Sequence, residues 1–112
     1  MIHLYLDDWR SCPKGFALAR NGEECLLMLR ECEVDILSLD YELGHGQMNG
    51  GDVVAAMIAE KRYPRQIYLH TSSPLGRRKM YEMLYEHMPS DVAVHNGPMP
   101  QEVLDKAAGS GS

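Results

Sequence analysis

Three short clusters hold most of the residues able to do chemistry in this chain: Asp7-Asp8-Trp9-Arg10, Asp40-Tyr41-Glu42-Leu43-Gly44 and His70-Thr71-Ser72-Ser73-Pro74. Adjacent aspartates facing a third carboxylate make an oxygen-rich site. Such a site suits a hard cation like Mg²⁺, which keeps several waters and takes one or two carboxylates together with phosphate oxygens. Crowded carboxylates repel, so at least one of Asp7, Asp8 and Asp40 needs a proton, a metal ion or Arg10 as its partner. His70 is the one cluster residue that titrates near neutrality and is the natural candidate for proton transfer. Ser72 lies two residues on, and an extended His-x-Ser segment points both side chains to one side of the backbone.

The clusters work together only if the backbone gathers them. Each directly follows a short apolar run: Ile2 to Leu6, Asp35 to Leu39 and Gln66 to Leu69. As neighbouring parallel strands, these runs deliver all three clusters to one sheet edge, where open α/β folds place their ligands. Val34 to Leu39 is mostly apolar throughout, as expected of a strand buried on both faces. Phe16 to Arg20 reads as a second strand. The nine residues from Asp7 to Gly15 are fewer than the dozen or so of a usual parallel crossover, so the first crossover helix is expected to be missing.

Helices fill the remaining gaps. Asn21 is an N-cap for a helix ending near Cys32, with two glutamates in its first turn. Asp52 to Arg62 follows a helical period after a long loop, Gly44 to Gly51, whose glycines could make a lid. Ser73 and Pro74 read as N-cap and first helical position of a helix reaching about Met88. Its free N–H groups and positive dipole end, with Arg77 and Arg78 in the first turn, form a cradle for one phosphate. Asp91 to Val94 gives a last strand and Pro100 to Ala107 a last helix. Alternation of this kind implies a three-layer α/β sandwich with right-handed crossovers. Residues 1–108 form the domain, and Gly109-Ser110-Gly111-Ser112 reads as a flexible tail or appended linker.

Composition bounds the function. A chain of 112 residues, 45% apolar and 24% charged, is an ordinary single globular domain. Nothing resembles a signal peptide, and no apolar run approaches the roughly 18 residues of a membrane span, so a cytoplasmic location is expected. The net charge of −5 excludes a protein that grips duplex DNA through many phosphates, while leaving room for a small phosphorylated ligand or an RNA end. Cys12, Cys25 and Cys32 lack CxxC spacing and read as reduced core residues. Met80, Met83, Leu84 and Met88 form a helical stripe that belongs to the core, with a protein-binding face as the alternative.

Leu6 to Arg10, Ser38 to Gly44, Gly50 to Val54, and His70 to Gly76 with Met80 together resemble the cyclic-phosphate processing receiver-like domains, over most of the chain and in the right order. The resemblance implies a receiver-like (flavodoxin-like) sandwich around a mostly parallel sheet of four to five strands. It also implies binding and processing of cyclic phosphates, such as RNA 2′,3′-cyclic phosphate ends or cyclic nucleotides. In that chemistry Asp7, Asp8 and Asp40 hold Mg²⁺ or another divalent cation or orient water. Arg10 pairs with phosphate or carboxylate, His70 protonates the leaving oxygen, and Ser72 steadies the anion beside Glu42 and Thr71. Tyr41, Glu42 and Ser73 stand where the family carries histidine, aspartate and asparagine.

The resemblance carries an alternative, a degenerate receiver that binds a phosphate ligand or a protein without turnover. A phosphoacceptor receiver would use Asp40 as nucleophile, Thr71 as the switch hydroxyl and a lysine ending the fifth strand. His95 stands there instead, which leaves phosphoryl charge with one fixed cation fewer. A protein partner would meet the helix from Leu75 to Met88.

Overall fold

Leu6, Leu39 and Leu69 stand side by side on three adjacent parallel strands, and that register decides everything at the site. The computed structural model describes residues 1–110. Among them the elements are β1 (Ile2–Leu6), β2 (Phe16–Ala19), α1 (Gly22–Glu31), β3 (Val34–Leu39), α2 (Gly50–Glu60), β4 (Gln66–Leu69), α3 (Pro74–His87), β5 (Ala93–His95) and α4 (Gln101–Ser110). The five strands pair in the order β2-β1-β3-β4-β5, all parallel.

The strands alternate between two different interiors. Leu4, Leu6, Leu37, Leu39, Ile67 and Leu69 face a large core shared with Cys25, Leu26 and Leu29 of α1, Val53, Val54 and Met57 of α2, and Met80 and Leu84 of α3. Burying each such leucine fully is worth about 1.5–3 kcal/mol over leaving it in water. The opposite face carries Tyr5, Ile36 and Tyr68 against Met99, Val103 and Leu104 around α4. Three helices therefore cover one side and α4 the other, giving the expected three layers.

No helix joins β1 to β2, as the short crossover implied; Asp7 to Gly15 crosses the sheet edge as irregular chain. Gly15, at φ +89°, makes this route feasible. A side chain there would bring its Cβ to 2.3 Å from the Ala107 carbonyl oxygen of α4.

Several boundaries differ from expectation for local reasons. α2 starts at Gly50, not Asp52, because Asn49 and Asp52 cap each other: the Asp52 N–H donates to Asn49 Oδ1 at 2.9 Å and the Asn49 N–H to Asp52 Oδ2 at 3.0 Å. The helix ends at Glu60 because Lys61 turns left-handed at φ 55°. β5 begins at Ala93, since the Val92 N–H closes a turn on the Pro89 carbonyl. α4 runs on through Gly109 and Ser110, two residues expected in the tail; Gly111 and Ser112 lie outside the described residues. Of the cysteines read as core, only Cys25 is buried, where burial pushes its thiol up to about 12; Cys12 is half-buried and Cys32 exposed at the end of α1.

Candidate functional site

The register places Asp7, Asp40 and His70 one residue beyond the paired leucines, in a row across β1, β3 and β4. The ladder continues through them: the Asp40 N–H donates to the Leu6 carbonyl and the His70 N–H to the Leu39 carbonyl, each at 3.0 Å. Because side chains alternate along a strand, these three project on the same face as Tyr5, Ser38 and Tyr68 two residues earlier.

Asp7 is the hub. Its side chain is fully buried, and its Oδ1 accepts the backbone N–H groups of Trp9 and Arg10, both at 2.8 Å. Its Oδ2 accepts Arg10 Nη1 at 2.8 Å and meets His70 Nε2 at 2.9 Å. Burial alone would raise this carboxyl; the Arg10 side chain, the Arg10 and Trp9 backbone and His70 outweigh it and bring the value down to about 2. The spacing explains the geometry: Arg10, three residues on, grips one carboxylate with both backbone and side chain. Its Nη1 also lies 3.4 Å from Asp40 Oδ2.

His70 is held on three sides. Nδ1 meets Ser38 Oγ at 2.6 Å, Nε2 meets Asp7, and the ring stacks on Tyr5 with centroids 4.3 Å apart. An ionised carboxylate can only accept, so Nε2 carries the proton; Nδ1 of the neutral ring then accepts from the Ser38 hydroxyl. Burial pushes the imidazole below its usual value, against the hydrogen bond and charge of Asp7. The role expected of His70, handing a proton to a leaving oxygen, meets a side chain only 6% exposed with both nitrogens engaged. Direct delivery requires the Nε2 bond to Asp7 to open, because Nδ1 of the neutral ring carries no proton.

Asp8 is exposed, yet one ligand atom each from Asp7, Asp8 and Asp40 lies within 4.8 Å of the others. The expected acidic cluster therefore forms. Asp7 does not fit a divalent ion in this arrangement, because its two oxygens already accept four hydrogen bonds, about the capacity of a carboxylate. A Mg²⁺ ion at its usual ~2 Å would have to displace Arg10 or His70.

The second and third clusters contribute unevenly. Glu42 and Ser72 are exposed; Thr71 is half-buried, and its hydroxyl accepts the Ser73 N–H at 3.1 Å. Ser73 caps α3 as expected, taking the Gly76 N–H at 3.0 Å. That bond and the missing N–H of Pro74 fill much of the anticipated phosphate cradle. Arg77 turns away, donating to the Asn96 carbonyl at 3.2 Å. His95, which ends the fifth strand where a phosphoacceptor receiver was expected to carry lysine, stacks on Tyr68 with ring centroids 4.1 Å apart.

Ser38, Gly50 and Gly76 lie inside the segments that carry the resemblance, but neither their roles nor that of Tyr5 were read from the sequence. A polar residue inside an otherwise apolar strand, two before Asp40 and on its face, was the available signal for Ser38. Gly50 and Gly76 fix the loops beside the site: a Cβ at Gly50 would come to 2.2 Å from the Asp40 carbonyl oxygen, and one at Gly76 to 2.3 Å from the Tyr41 ring.

A five-stranded parallel sheet with aspartates at the tips of β1 and β3 defines a receiver-fold domain. The structure is similar to the crystal structure of the response regulator domain of Thermotoga maritima CheB, with a TM-score of 0.58 and 14% sequence identity, covering 99% of this chain and 97% of that one. At that identity the likeness is one of fold. Residues 2–86 match the family of the Cyclic-phosphate processing Receiver domain, and the chain belongs to that family. No curated protein matches it. No helix among the described residues is long and apolar enough to cross a membrane.

Proposed function

We propose that this domain binds a cyclic phosphate, such as an RNA 2′,3′-cyclic end or a cyclic nucleotide, at the tips of β1, β3 and β4, and opens it. One observation carries the reading: Arg10 has Nη1 fixed between Asp7 and Asp40, while Nε and Nη2 hydrogen-bond to nothing among the described residues. Its side chain is 31% exposed. A planar guanidinium anchored on one edge and open on the other suits two phosphate oxygens.

In hydrolysis, a water oxygen bonds to phosphorus, one ring P–O bond breaks, and the freed oxygen takes a proton to leave a monoester. Asp8, exposed, is the carboxylate able to orient that water and take its proton, assisted by the remaining lone pairs of Asp40, whose Oδ1 accepts the Tyr41 N–H at 2.8 Å and whose Oδ2 lies 3.4 Å from Arg10; Glu42, Thr71 and Ser72 stand at the rim. His70, neutral at rest with its proton on Nε2, supplies a proton only after taking up a second one as imidazolium and releasing Asp7. No step is assigned to a metal ion, since Asp7 is saturated.

The enclosed imidazole favours a second reading, a receiver-fold module that binds the ligand without turning it over. A panel of 2′,3′-cyclic nucleotides followed by ³¹P NMR separates the two. Growth of a monoester signal, lost in His70→Ala, supports hydrolysis; thermal stabilisation without product supports binding alone. If neither response appears, the cyclic-phosphate reading is refuted.

A further inference from the structure

We infer that Arg10 is the resident cation of the Asp7, Asp8 and Asp40 cluster, and that the cluster takes a divalent metal ion only when this guanidinium is removed. Arg10 Nη1 lies 2.8 Å from Asp7 Oδ2 and 3.4 Å from Asp40 Oδ2, so it occupies the point where two of the three carboxylates converge. The third, Asp8, is the exposed one. Three carboxylates within 4.8 Å would otherwise be a natural Mg²⁺ or Mn²⁺ site.

Two features keep the guanidinium there. The Arg10 backbone N–H donates to Asp7 Oδ1 at 2.8 Å, so the residue is tied to the same carboxylate twice and its stem starts next to its target. The carboxylates it joins are also desolvated, Asp7 at 0% and Asp40 at 7% side-chain exposure, so expelling Arg10 from them would strand buried charge. A hydrated ion arriving from solvent must displace a partner already in contact, and Mg²⁺ sheds its own waters reluctantly. The neutral ring of His70, with Nε2 at 2.9 Å, occupies the same Asp7 Oδ2.

The electrostatic outcome is a site with one fixed, non-exchangeable positive charge. It leaves Nε and Nη2 without a hydrogen bond among the described residues, available as anion donors on a side chain that is 31% exposed. This inference stands apart from the identity of the ligand, because metal titration needs no phosphate.

The test compares the parent chain with Arg10→Met, which keeps an unbranched apolar stem, and Arg10→Gln, which keeps polarity. Each is titrated with MnCl₂ alone while NMR line broadening is followed at the Leu6–Arg10 and Leu39–Leu43 amides, and melting is measured with and without MgCl₂. The expected result is no site-localised broadening and no melting shift for the parent. At least one variant should show broadening confined to these amides and an EDTA-reversible rise in Tm. Site-localised Mn²⁺ binding by the parent, abolished by Asp8→Asn, would overturn the inference. So would folded variants that bind no more Mn²⁺ than the parent. If neither variant folds, the parent titration alone decides.

Discussion

Replacing Asp7 with asparagine keeps the shape of the hub and removes its charge. The amide oxygen can remain on the Trp9 and Arg10 backbone N–H groups, which now meet Oδ1 at 2.8 Å. The NH₂ group then occupies the place of Oδ2, and a donor faces Arg10 Nη1 across 2.8 Å and His70 Nε2 across 2.9 Å. Removing one partner from a buried charged pair costs roughly 3–5 kcal/mol. Part of this is recoverable, because a serine hydroxyl both donates and accepts. His70 can move its proton to Nδ1, donate to Ser38 and accept the new amide at Nε2. The expected loss therefore lies near the lower end, about 3 kcal/mol, out of the roughly 5–15 kcal/mol of a typical domain. Urea unfolding measures the loss, and long-range ¹H–¹⁵N NMR of the imidazole reads the tautomer: Nε2–H in the parent, Nδ1–H in the variant. A loss below about 1 kcal/mol, the range of an exposed ion pair, or an unchanged tautomer, refutes the assignment of Asp7 as shared acceptor.

Ser38→Ala leaves the buried Nδ1 of His70 unpaired and should cost about 1–3 kcal/mol in urea unfolding, with a neutral result contradicting the proposed tautomer. Stability should fall in two acid windows. His70 is lowered in the folded state, so the unfolded chain takes the proton first and stability declines as pH drops below about 6.5; Asp7, at about 2 against an ordinary 3.8, holds about 2 kcal/mol above pH 3.8 that is lost toward pH 2. Asp7→Asn should abolish the second window, as pH-dependent urea midpoints would show. Gly50→Ala should cost about 1–3 kcal/mol, since its Cβ would meet the Asp40 carbonyl at 2.2 Å, whereas Gly97→Ala, with nothing within 4 Å, should melt close to the parent.

The row of site residues was legible because strand tips in a parallel sheet inherit their alignment from the apolar runs before them. Leu6, Leu39 and Leu69 could be read as strand ends, and Asp7, Asp40 and His70 followed. Ser73 and Pro74 announced their cap because serine and proline have few other uses in that order. What stayed hidden depends on distances between strands. The sequence offered Arg10 as a partner for these carboxylates without singling out Asp7, and nothing in it says that Ser38 on β3 reaches His70 from β4. The acidic cluster formed as expected, but the order of residues does not show that the oxygens of Asp7 and the Nε2 proton of His70 are already engaged within the packed arrangement. Gly50 and Gly76 were likewise illegible, since their role is the absence of a side chain beside Asp40 and Tyr41.

Trp9 is the one tryptophan of the chain, is 82% exposed, and sits between Asp8 and Arg10, so its fluorescence reports on the site directly. Titration of a nucleoside 2′,3′-cyclic phosphate into the parent and into folded Arg10→Met is the most direct test that the free guanidinium edge receives the phosphate. A saturable change is expected in the parent and none in the variant over the same range. Equal responses in both, or a flat signal together with an unshifted ³¹P resonance in the parent, would contradict it.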